Sequence, residues 1–167
     1  LYKFATMLRA SPKIGAGLIT VQDDPRVLPL GRILRKTKLN ELPQLWNIFV
    51  GDMSIVGPRP MVPETYAYYP EEVQVKLDQI RPGLTGVGSI IFRDEERYLL
   101  GRDNPMDFYK NFIIPYKIAL ELWYIENNDL KMYFQIIFVT AWVILFPESN
   151  IARKLFKGAP ATPETLL

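Results

Sequence analysis

Residues 35–60 constrain the fold more than any other part of the chain, because a short apolar stripe leads directly into a proline-locked turn. The stripe has helical spacing, i, i+3, i+4 and i+7, and consists of Leu42, Leu45, Trp46 and Phe49. Asn40 stands where a helix N-cap is expected, and Glu41 and Pro43 fall in the first turn, where an acid and a proline are both tolerated. The pattern therefore predicts a helix with Asn40 as its cap.

The same segment also predicts phosphate binding. A helix N-terminus carries unpaired N–H groups and a partial positive charge, and both attract phosphate. Over residues 57–60 the sequence Gly-Pro-Arg-Pro fixes the backbone on both sides of Arg59, which places its guanidinium in advance for bidentate phosphate contact. Arg35 adds a second guanidinium at the start of the segment. These features together suggest phosphate chemistry.

Composition excludes several kinds of catalysis. The 167 residues include no cysteine and no histidine, so a disulfide framework, a thiolate nucleophile, a zinc site and a Ser-His-Asp triad are all excluded. Any catalysis must use carboxylates, lysine, arginine, tyrosine, hydroxyl groups or a hard metal ion held by oxygen ligands. The net charge of +2 is too small to indicate a nucleic-acid partner.

The signals along the chain predict an α+β fold that is predominantly helical. We expect a compact single domain over residues 1–167 with a few short strands and membrane-interfacial helices. The predicted strands are residues 18–21 and 89–92, and residues 81–86 are predicted to form a turn. The predicted helices are residues 70–79, residues 94–100, and residues 105–127 with a kink before Pro115.

One apolar stretch has the character of a membrane segment. Residues 132–146 contain only two polar side chains, but as a helix they reach only about 22 Å. The hydrocarbon core of a bilayer is roughly 30 Å thick, so we do not expect a complete span. The basic residues that follow, Arg153, Lys154 and Lys157, would suit anionic headgroups beside a helix at the interface. A helix buried inside the protein remains the alternative.

The motif in residues 35–60, RKTKLNELPQLWNIFVGDMSIVGPRP, resembles the signature of a known family. It is similar to R-x-x-S/T-x-D-E-L-P-Q-L-x-N-V-x-x-G-D-M-S-x-V-G-P-R-P of the bacterial sugar transferases, the monotopic polyprenyl-phosphate phosphoglycosyl transferases. Residues 2–4, 6–7, 24–26 and 81–86 match further family elements, and the resemblance covers residues 1 to about 145. It implies a catalytic domain truncated at the N-terminus, where the family carries a hydrophobic re-entrant membrane helix.

The resemblance also implies an enzymatic activity. Such an enzyme transfers sugar-1-phosphate from a UDP-sugar to a polyprenyl (undecaprenyl) phosphate and initiates the synthesis of a surface polysaccharide or glycoconjugate. It implies Mg²⁺ as cofactor and a location at the cytoplasmic face of the bacterial inner membrane. The expected partners are the UDP-sugar, the polyprenyl phosphate and the membrane surface, and a homo-oligomer or downstream glycosyltransferases are further candidates. Nucleic acid is not expected.

The resemblance assigns roles to particular residues. The catalytic candidates are Arg35, Asn40, Glu41 and Arg59. The candidates for substrate phosphate binding are Lys3, Arg35 and Arg59. Glu41 is a candidate metal ligand, and Asp52 is a second candidate that could instead stabilise the turn over residues 51–54. Residues 94–96 are a run of three acids that could reach a metal, although a solvated helix start is the simpler interpretation.

The sequence departs from the family at two positions. Asn40 replaces the aspartate that is the family's proposed nucleophile, and Ala5 replaces an arginine. An amide is a poor nucleophile and a weaker metal ligand than a carboxylate. Direct attack by the polyprenyl phosphate, with Glu41 holding the metal, and attack by another carboxylate such as Asp52 both remain open. The alternative function is a catalytically impaired, membrane-associated module that binds a nucleotide sugar or a partner protein.

Overall fold

The computed structural model describes residues 1–15, 17, 19–21 and 23–166. It is predominantly helical with two short strands, which confirms the predicted α+β class. The α-helices are α1 (Pro29–Lys36), α2 (Gln44–Phe49), α3 (Pro63–Tyr66), α4 (Glu71–Asp78), α5 (Val87–Ile91), α6 (Glu95–Tyr98), α7 (Pro105–Phe108), α8 (Ile114–Glu126), α9 (Leu130–Leu145) and α10 (Ile151–Leu155). The strands are β1 (Ser54–Val56) and β2 (Gly83–Thr85). Shorter helical segments are the 3₁₀ turns Ser11–Lys13, Leu39–Glu41 and Glu164–Leu166 and the π-helical turn Tyr109–Ile113.

The strands pair in parallel, with Ser54 opposite Gly83 and Val56 opposite Thr85. The prediction of a turn over residues 81–86 is therefore wrong for residues 83–85. These residues form strand β2, which pairs with β1. A side chain at Gly83 would not fit, since its Cβ would lie 2.1 Å from the backbone nitrogen of Gly57. The two family motifs that contain these glycines thus pack backbone against backbone.

The core is built around α8 and α9, with α5 packed against both helices. Its fully buried apolar side chains are Val87, Ile113, Leu120, Ile136 and Val139. Complete burial of such a side chain contributes about 1.5–3 kcal/mol. β1, β2 and α5 pack against this core and connect it to the loops that carry the candidate functional residues.

Both strands predicted from short β-branched runs are wrong where the structure describes them. Residues 89–92 fall largely in α5, because Val87 and Ile90 are both buried and their i, i+3 spacing suits one helical turn against the core. In the predicted strand 18–21, residue 18 lies outside the described residues and residues 19–21 are not a strand. There the Ile19 carbonyl accepts a hydrogen bond of 2.6 Å from Nη2 of Arg26 instead of a ladder bond.

The long helical predictions agree with the structure. The predicted helix over residues 105–127 consists of α7, the π-helical turn and α8 in succession, so the irregularity falls immediately before Pro115, as predicted. Residues 71–78 and 130–145 are helices α4 and α9. Helix α9 is capped by Asp129, whose carboxylate accepts a hydrogen bond of 2.6 Å from Met132 N–H. In the part of the chain described, no helix is both long and apolar enough to cross a membrane.

Candidate active site

The N-terminal segment brings Lys3 to the site by crossing α1. Leu28 N–H donates to the carbonyl of Thr6 at 3.0 Å, and Phe4 N–H donates to the carbonyl of Asn40 at 3.1 Å. The close crossing requires a glycine at position 31, where a Cβ would lie 2.2 Å from the Thr6 carbonyl oxygen. These contacts hold the backbone of the N-terminal segment at Phe4 and Thr6, close in sequence to Lys3.

Asn40 and Glu41 lie in the 3₁₀ turn Leu39–Glu41, which precedes α2. Lys38 lies between α1 and this turn in a left-handed conformation, with φ of 60°, and redirects the chain into the turn. The prediction that Asn40 caps the signature helix is wrong, because α2 begins after Pro43 and no side chain caps it. Asn40 is instead only 4% exposed, and its Oδ1 has no hydrogen-bond partner among the described residues.

Helix α2 has its polar side inward. Gln44 and Asn47 are buried, whereas the apolar stripe predicted from the sequence faces outward. Asn47 is held from both ends, since its Oδ1 accepts from Tyr2 N–H at 3.2 Å and its Nδ2 donates to the Tyr2 carbonyl at 3.3 Å. The exposed fractions are 50% for Leu42, 53% for Leu45, 57% for Trp46 and 80% for Phe49. The signature helix therefore leaves its apolar side uncovered.

Glu41 is the centre of the site. Its Oε1 accepts a hydrogen bond of 3.0 Å from Nη2 of Arg59 and lies 3.5 Å from Nζ of Lys3. Burial raises the pKa of Glu41, but the charges of Arg59, Lys3 and Lys38 and the Arg59 hydrogen bond outweigh it and leave the pKa below its usual range. Glu41 is therefore an ionised carboxylate at neutral pH.

Arg59 reaches Glu41 from the loop that follows β1. That loop is fixed to β2 by two hydrogen bonds, from Gly57 N–H to the Thr85 carbonyl at 2.9 Å and from Gly83 N–H to the Pro58 carbonyl at 2.8 Å. The guanidinium is 45% exposed, so it contacts Glu41 and still faces solvent. The bidentate phosphate contact expected of Arg59 stays a prediction.

Arg35 lies in the same positive region but has different contacts. Its Nε donates to Oγ1 of Thr6 at 2.9 Å, and its Nη1 lies 3.5 Å from Oε1 of Glu96. Burial lowers the pKa of Lys3, and the nearby charges of Arg59 and Arg35 lower it further against the raising effect of Glu41. The structure thus places Lys3 and Arg59 at the Glu41 carboxylate, and Arg35 close enough to Lys3 to act on its charge.

The acidic candidates for metal binding have different surroundings. Asp52 is exposed in the turn between α2 and β1. Of the acidic run over residues 94–96, Glu96 contacts Arg35, and Glu95 forms an ion pair of 2.6 Å with Lys117. Over residues 1–15, 17, 19–21 and 23–166, no three acidic side chains are grouped so that they could hold a metal ion. Among these acidic candidates, Glu41 is therefore the one that contacts both Arg59 and Lys3.

Glu121 is a residue of this region that the sequence reasoning missed. It lies on α8, is only 6% exposed, and its Oε2 has no hydrogen-bond partner among the described residues. Burial raises the pKa of Glu121 to about 7, against the lowering effects of the Lys117 charge and the Arg59 N–H. A lone acid within the apolar run of residues 118–125, IALELWYI, was the sequence signal that could have identified it.

Comparison with known proteins places the chain in a family. The family model described as bacterial sugar transferase matches residues 1–147. The chain is 32% identical over 158 residues to undecaprenyl-phosphate galactose phosphotransferase of Salmonella typhimurium, which covers 86% of this chain. It is 32% identical over 164 residues, or 95% of the chain, to the uncharacterised sugar transferase EpsL of Bacillus subtilis. It is also 38% identical over 120 residues, or 72% of the chain, to the exopolysaccharide production protein ExoY of Sinorhizobium fredii. The chain belongs to the bacterial sugar transferase family.

The relatives differ in how much of their length this chain represents. The matched region is 71% of EpsL but 46% of ExoY and 30% of the Salmonella protein. The part of the chain that the family model matches, residues 1–147, contains Lys3, Arg35, Asn40, Glu41 and Arg59.

Proposed function

We propose that this protein transfers sugar-1-phosphate from a UDP-sugar to a polyprenyl phosphate and so initiates the synthesis of a surface polysaccharide or glycoconjugate. The observation that carries the proposal is the convergence of Arg59 and Lys3 on Glu41, with Arg35 beside them. A diphosphate is highly charged, and guanidinium and ammonium groups are its natural ligands. Relatives named as undecaprenyl-phosphate galactose and glucose phosphotransferases support the choice of acceptor.

The proposed reaction is a displacement at the sugar-bearing phosphorus. An oxygen of the polyprenyl phosphate bonds to the β-phosphorus, the bond from that phosphorus to the bridging oxygen breaks, and UMP leaves with that oxygen and its negative charge. Asn40 is an amide and therefore a poor nucleophile, which favours direct attack by the lipid phosphate. Arg59 and Lys3 would stabilise the negative charge on the diphosphate as the bond breaks.

The proposal includes Mg²⁺ held at Glu41. Magnesium is commonly bound through one or two carboxylates together with substrate phosphates rather than in a complete protein cage. The ionised Glu41 is a hard oxygen donor that fits this mode. Oδ1 of Asn40, which has no hydrogen-bond partner among the residues that the structure describes, is a second such donor. When bound, the ion would neutralise charge on the diphosphate. Asp52 as a further ligand stays a prediction.

We also propose that the protein lies against the membrane through an apolar patch formed by Leu39, Leu42, Leu45, Trp46 and Phe49. All five side chains are apolar, and all five are exposed. Exposed apolar patches rimmed by basic residues suit an interfacial position, and Lys36 and Lys38 flank this one in sequence. A site at the surface of the bilayer would give the lipid phosphate direct access to Arg59 and Lys3.

Vesicle flotation tests the membrane proposal. Trp46→Gln combined with Phe49→Gln should reduce flotation with phosphatidylethanolamine and phosphatidylglycerol vesicles at least fivefold. The matched control is Val75→Gln, which removes an apolar side chain of similar exposure (54%) from α4. Equal flotation of the double variant and the control would contradict the proposal.

UMP release tests the activity. We expect the full-length protein to release UMP from one or more members of a panel of UDP-sugars only when undecaprenyl phosphate is present. UMP release without the lipid, or no release with any member of the panel, would count against the proposal.

Asn40, in place of the aspartate of the family motif, supports a second candidate function, that of an impaired nucleotide-sugar-binding module. Asn40→Asp restores the carboxylate of the family motif at the buried position next to Glu41. A working enzyme that uses direct attack should gain little from this change. A gain of a hundredfold or more would favour the impaired module.

A further inference from the structure

A cavity of about 440 Å³ lies between strand β1, residues 80–81 before β2, and the connection from α8 to α9. None of the ten residues that line it is among the candidates for catalysis, phosphate binding or metal binding in the proposed active site. Its volume is within the range of about 300–1,000 Å³ that small-molecule sites usually have. The cavity is therefore a candidate for a separate binding site.

The lining of this cavity has an apolar side and a polar side. Four of its five apolar side chains come from residues 48–56, at the end of α2 and along β1. The polar side chains of Tyr124, Asn128 and Tyr133 come from the end of α8 through the start of α9. Arg81 is the only charged residue among the ten. This division suits a ligand that has an anionic end and an apolar end.

Arg81 presents a cation to the cavity from a fixed backbone. A Cβ at Gly57 would lie 2.5 Å from the Arg81 carbonyl oxygen, so the two backbones are in close contact. The carbonyl of the next residue, Pro82, accepts a hydrogen bond of 2.8 Å from Ser54 N–H. Arg81 itself is exposed, and no ion pair found among the described residues includes it. Its guanidinium is thus suited to bind an oxyanion from outside the protein.

Tyr124 is a buried polar residue that points to a ligand in the same cavity. It lines the cavity and is only 2% exposed. Among the described residues, the tyrosine hydroxyls that form hydrogen bonds are those of Tyr66, Tyr109 and Tyr116, whereas Tyr124 and Tyr133 have no such partner. A buried hydroxyl without a partner lowers stability, a cost that phenylalanine would avoid. Burial raises the pKa of Tyr124 to about 12, so the hydroxyl keeps its proton at neutral pH and can donate it in a hydrogen bond.

The number of donors around the cavity favours a phosphate over a carboxylate. Arg81 has several N–H groups, Tyr124 and Tyr133 each have an O–H, and Asn128 has two further N–H groups. A carboxylate offers only two acceptor oxygens. A phosphate monoester offers three and carries a charge of about −1.5 to −2 at neutral pH. The phosphate therefore matches the polar side of the cavity better.

We propose that this cavity binds a phosphate monoester of an apolar alcohol, with the phosphate at Arg81 and Tyr124 and the first carbons of the alcohol against residues 48–56. Two sources share this chemistry, a short alkyl phosphate free in solution and the headgroup of a lipid such as phosphatidate. The proposal goes beyond the proposed transfer reaction and does not depend on it, because the two sites share no residue.

Methionine methyl resonances locate the bound phosphate, because Met53 lines the cavity and Met61 lies two residues after Arg59. The full-length protein, labelled with ¹³C at its methionine methyl groups, is titrated with dimethylallyl phosphate in one arm and with phosphatidate in detergent micelles in the other. We expect a saturable shift of Met53 in at least one arm, and the arm with the lower Kd identifies the source. A shift of Met61 without Met53, or no shift of Met53 in either arm, would overturn the proposal.

Neutral and nucleoside analogues test the two ends of the ligand. Dimethylallyl alcohol and diacylglycerol lack the phosphate, and UMP has a polar nucleoside in place of the apolar group. Each should bind at least tenfold more weakly, as measured at Met53, than the phosphate ester that saturates this resonance. Equal binding of the matching alcohol would show that the phosphate is not recognised, and equal or tighter binding of UMP would show that the apolar group is not. Either result would overturn the proposal.

Variants of the lining test the two polar residues named in the proposal. Arg81→Gln should raise the Kd measured at Met53 at least tenfold, whereas Arg97→Gln, an exposed arginine on α6 that does not line the cavity, should leave it unchanged. Tyr124→Phe removes only the hydroxyl, so it should raise the Kd about fivefold without lowering Tm. Arg59→Ala should not change the Kd at Met53. An unchanged Kd in Arg81→Gln or in Tyr124→Phe, or a loss of binding in Arg59→Ala, would overturn the proposal.

Discussion

Glu41→Gln separates the contribution of this carboxylate to folding from its contribution to catalysis. The change keeps the shape of the side chain but removes its charge from between Arg59 and Lys3, whose side chains are 45% and 43% exposed. Ion pairs of such exposure contribute only about 0.2–1 kcal/mol each. The burial cost that opposes ionisation of Glu41 disappears with the charge, so the free energy of unfolding should change by less than about 2 kcal/mol.

The expected effect of the same change on the rate is larger. Loss of a charge that acts on the transition state lowers the rate by about a hundredfold or more, which corresponds to about 2.7 kcal/mol. The assay is UMP release with saturating polyprenyl phosphate, beside urea denaturation of the same preparation. Glu64→Gln, an exposed acid in the first turn of α3, is the matched control and should change neither quantity. A variant that retains more than half of the activity would refute the role assigned to Glu41.

Three further predictions concern the metal and the fold. Excess EDTA should abolish turnover and Mg²⁺ or Mn²⁺ should restore it; full activity in EDTA would contradict the metal proposal. Arg26→Met should lower the free energy of unfolding by about 3–5 kcal/mol, because Asp24 would be left buried and unpaired. The pKa of Asp24 is lowered to about 2, mainly by its hydrogen bond from Arg26, so this pair stabilises the protein above the unfolded pKa and ceases to do so as pH falls towards 2. Gly83→Ala should cost more than about 3 kcal/mol or prevent folding, because its Cβ would meet the Gly57 nitrogen at 2.1 Å; an unchanged denaturation midpoint would contradict this packing.

The parts of the fold that follow from local signals could be predicted. Helices α4 and α9 have clear starts, and the irregular turn before Pro115 follows from the missing N–H of proline. Strands β1 and β2 could not be predicted, because each has three residues and depends on pairing across a long sequence separation. The run over residues 89–92 has β-branched residues but becomes part of α5, since tertiary packing outweighs weak propensity.

The candidate site also has features that the sequence could predict and features that it could not. The sequence motifs single out Lys3, Arg35, Glu41 and Arg59. The structure places Lys3 and Arg59 at Glu41, with Arg35 near Lys3, whereas their functional roles stay predictions. The N-cap prediction for Asn40 failed because α2 begins only at Gln44 and Asn40 falls in a separate 3₁₀ turn.

Glu121 was not assigned, although it is a lone acid in an apolar run, because a local sequence pattern does not report how deeply the fold buries a side chain. The outward direction of the apolar stripe on α2 has a similar origin. Periodicity predicts that a stripe exists, whereas the contacts of Asn47 with Tyr2 decide which side of the helix is buried.

The fate of the β-phosphate is the most direct test of the proposed reaction. A UDP-sugar labelled with ³²P at the β-position is incubated with undecaprenyl phosphate, Mg²⁺ and the full-length protein, and the lipid and nucleotide products are separated. Transfer of sugar-1-phosphate predicts that the label moves to the lipid, that unlabelled UMP is released, and that Glu41→Gln slows both processes by about a hundredfold. Label that remains in released UDP would show that only the sugar is transferred, and it would contradict the account.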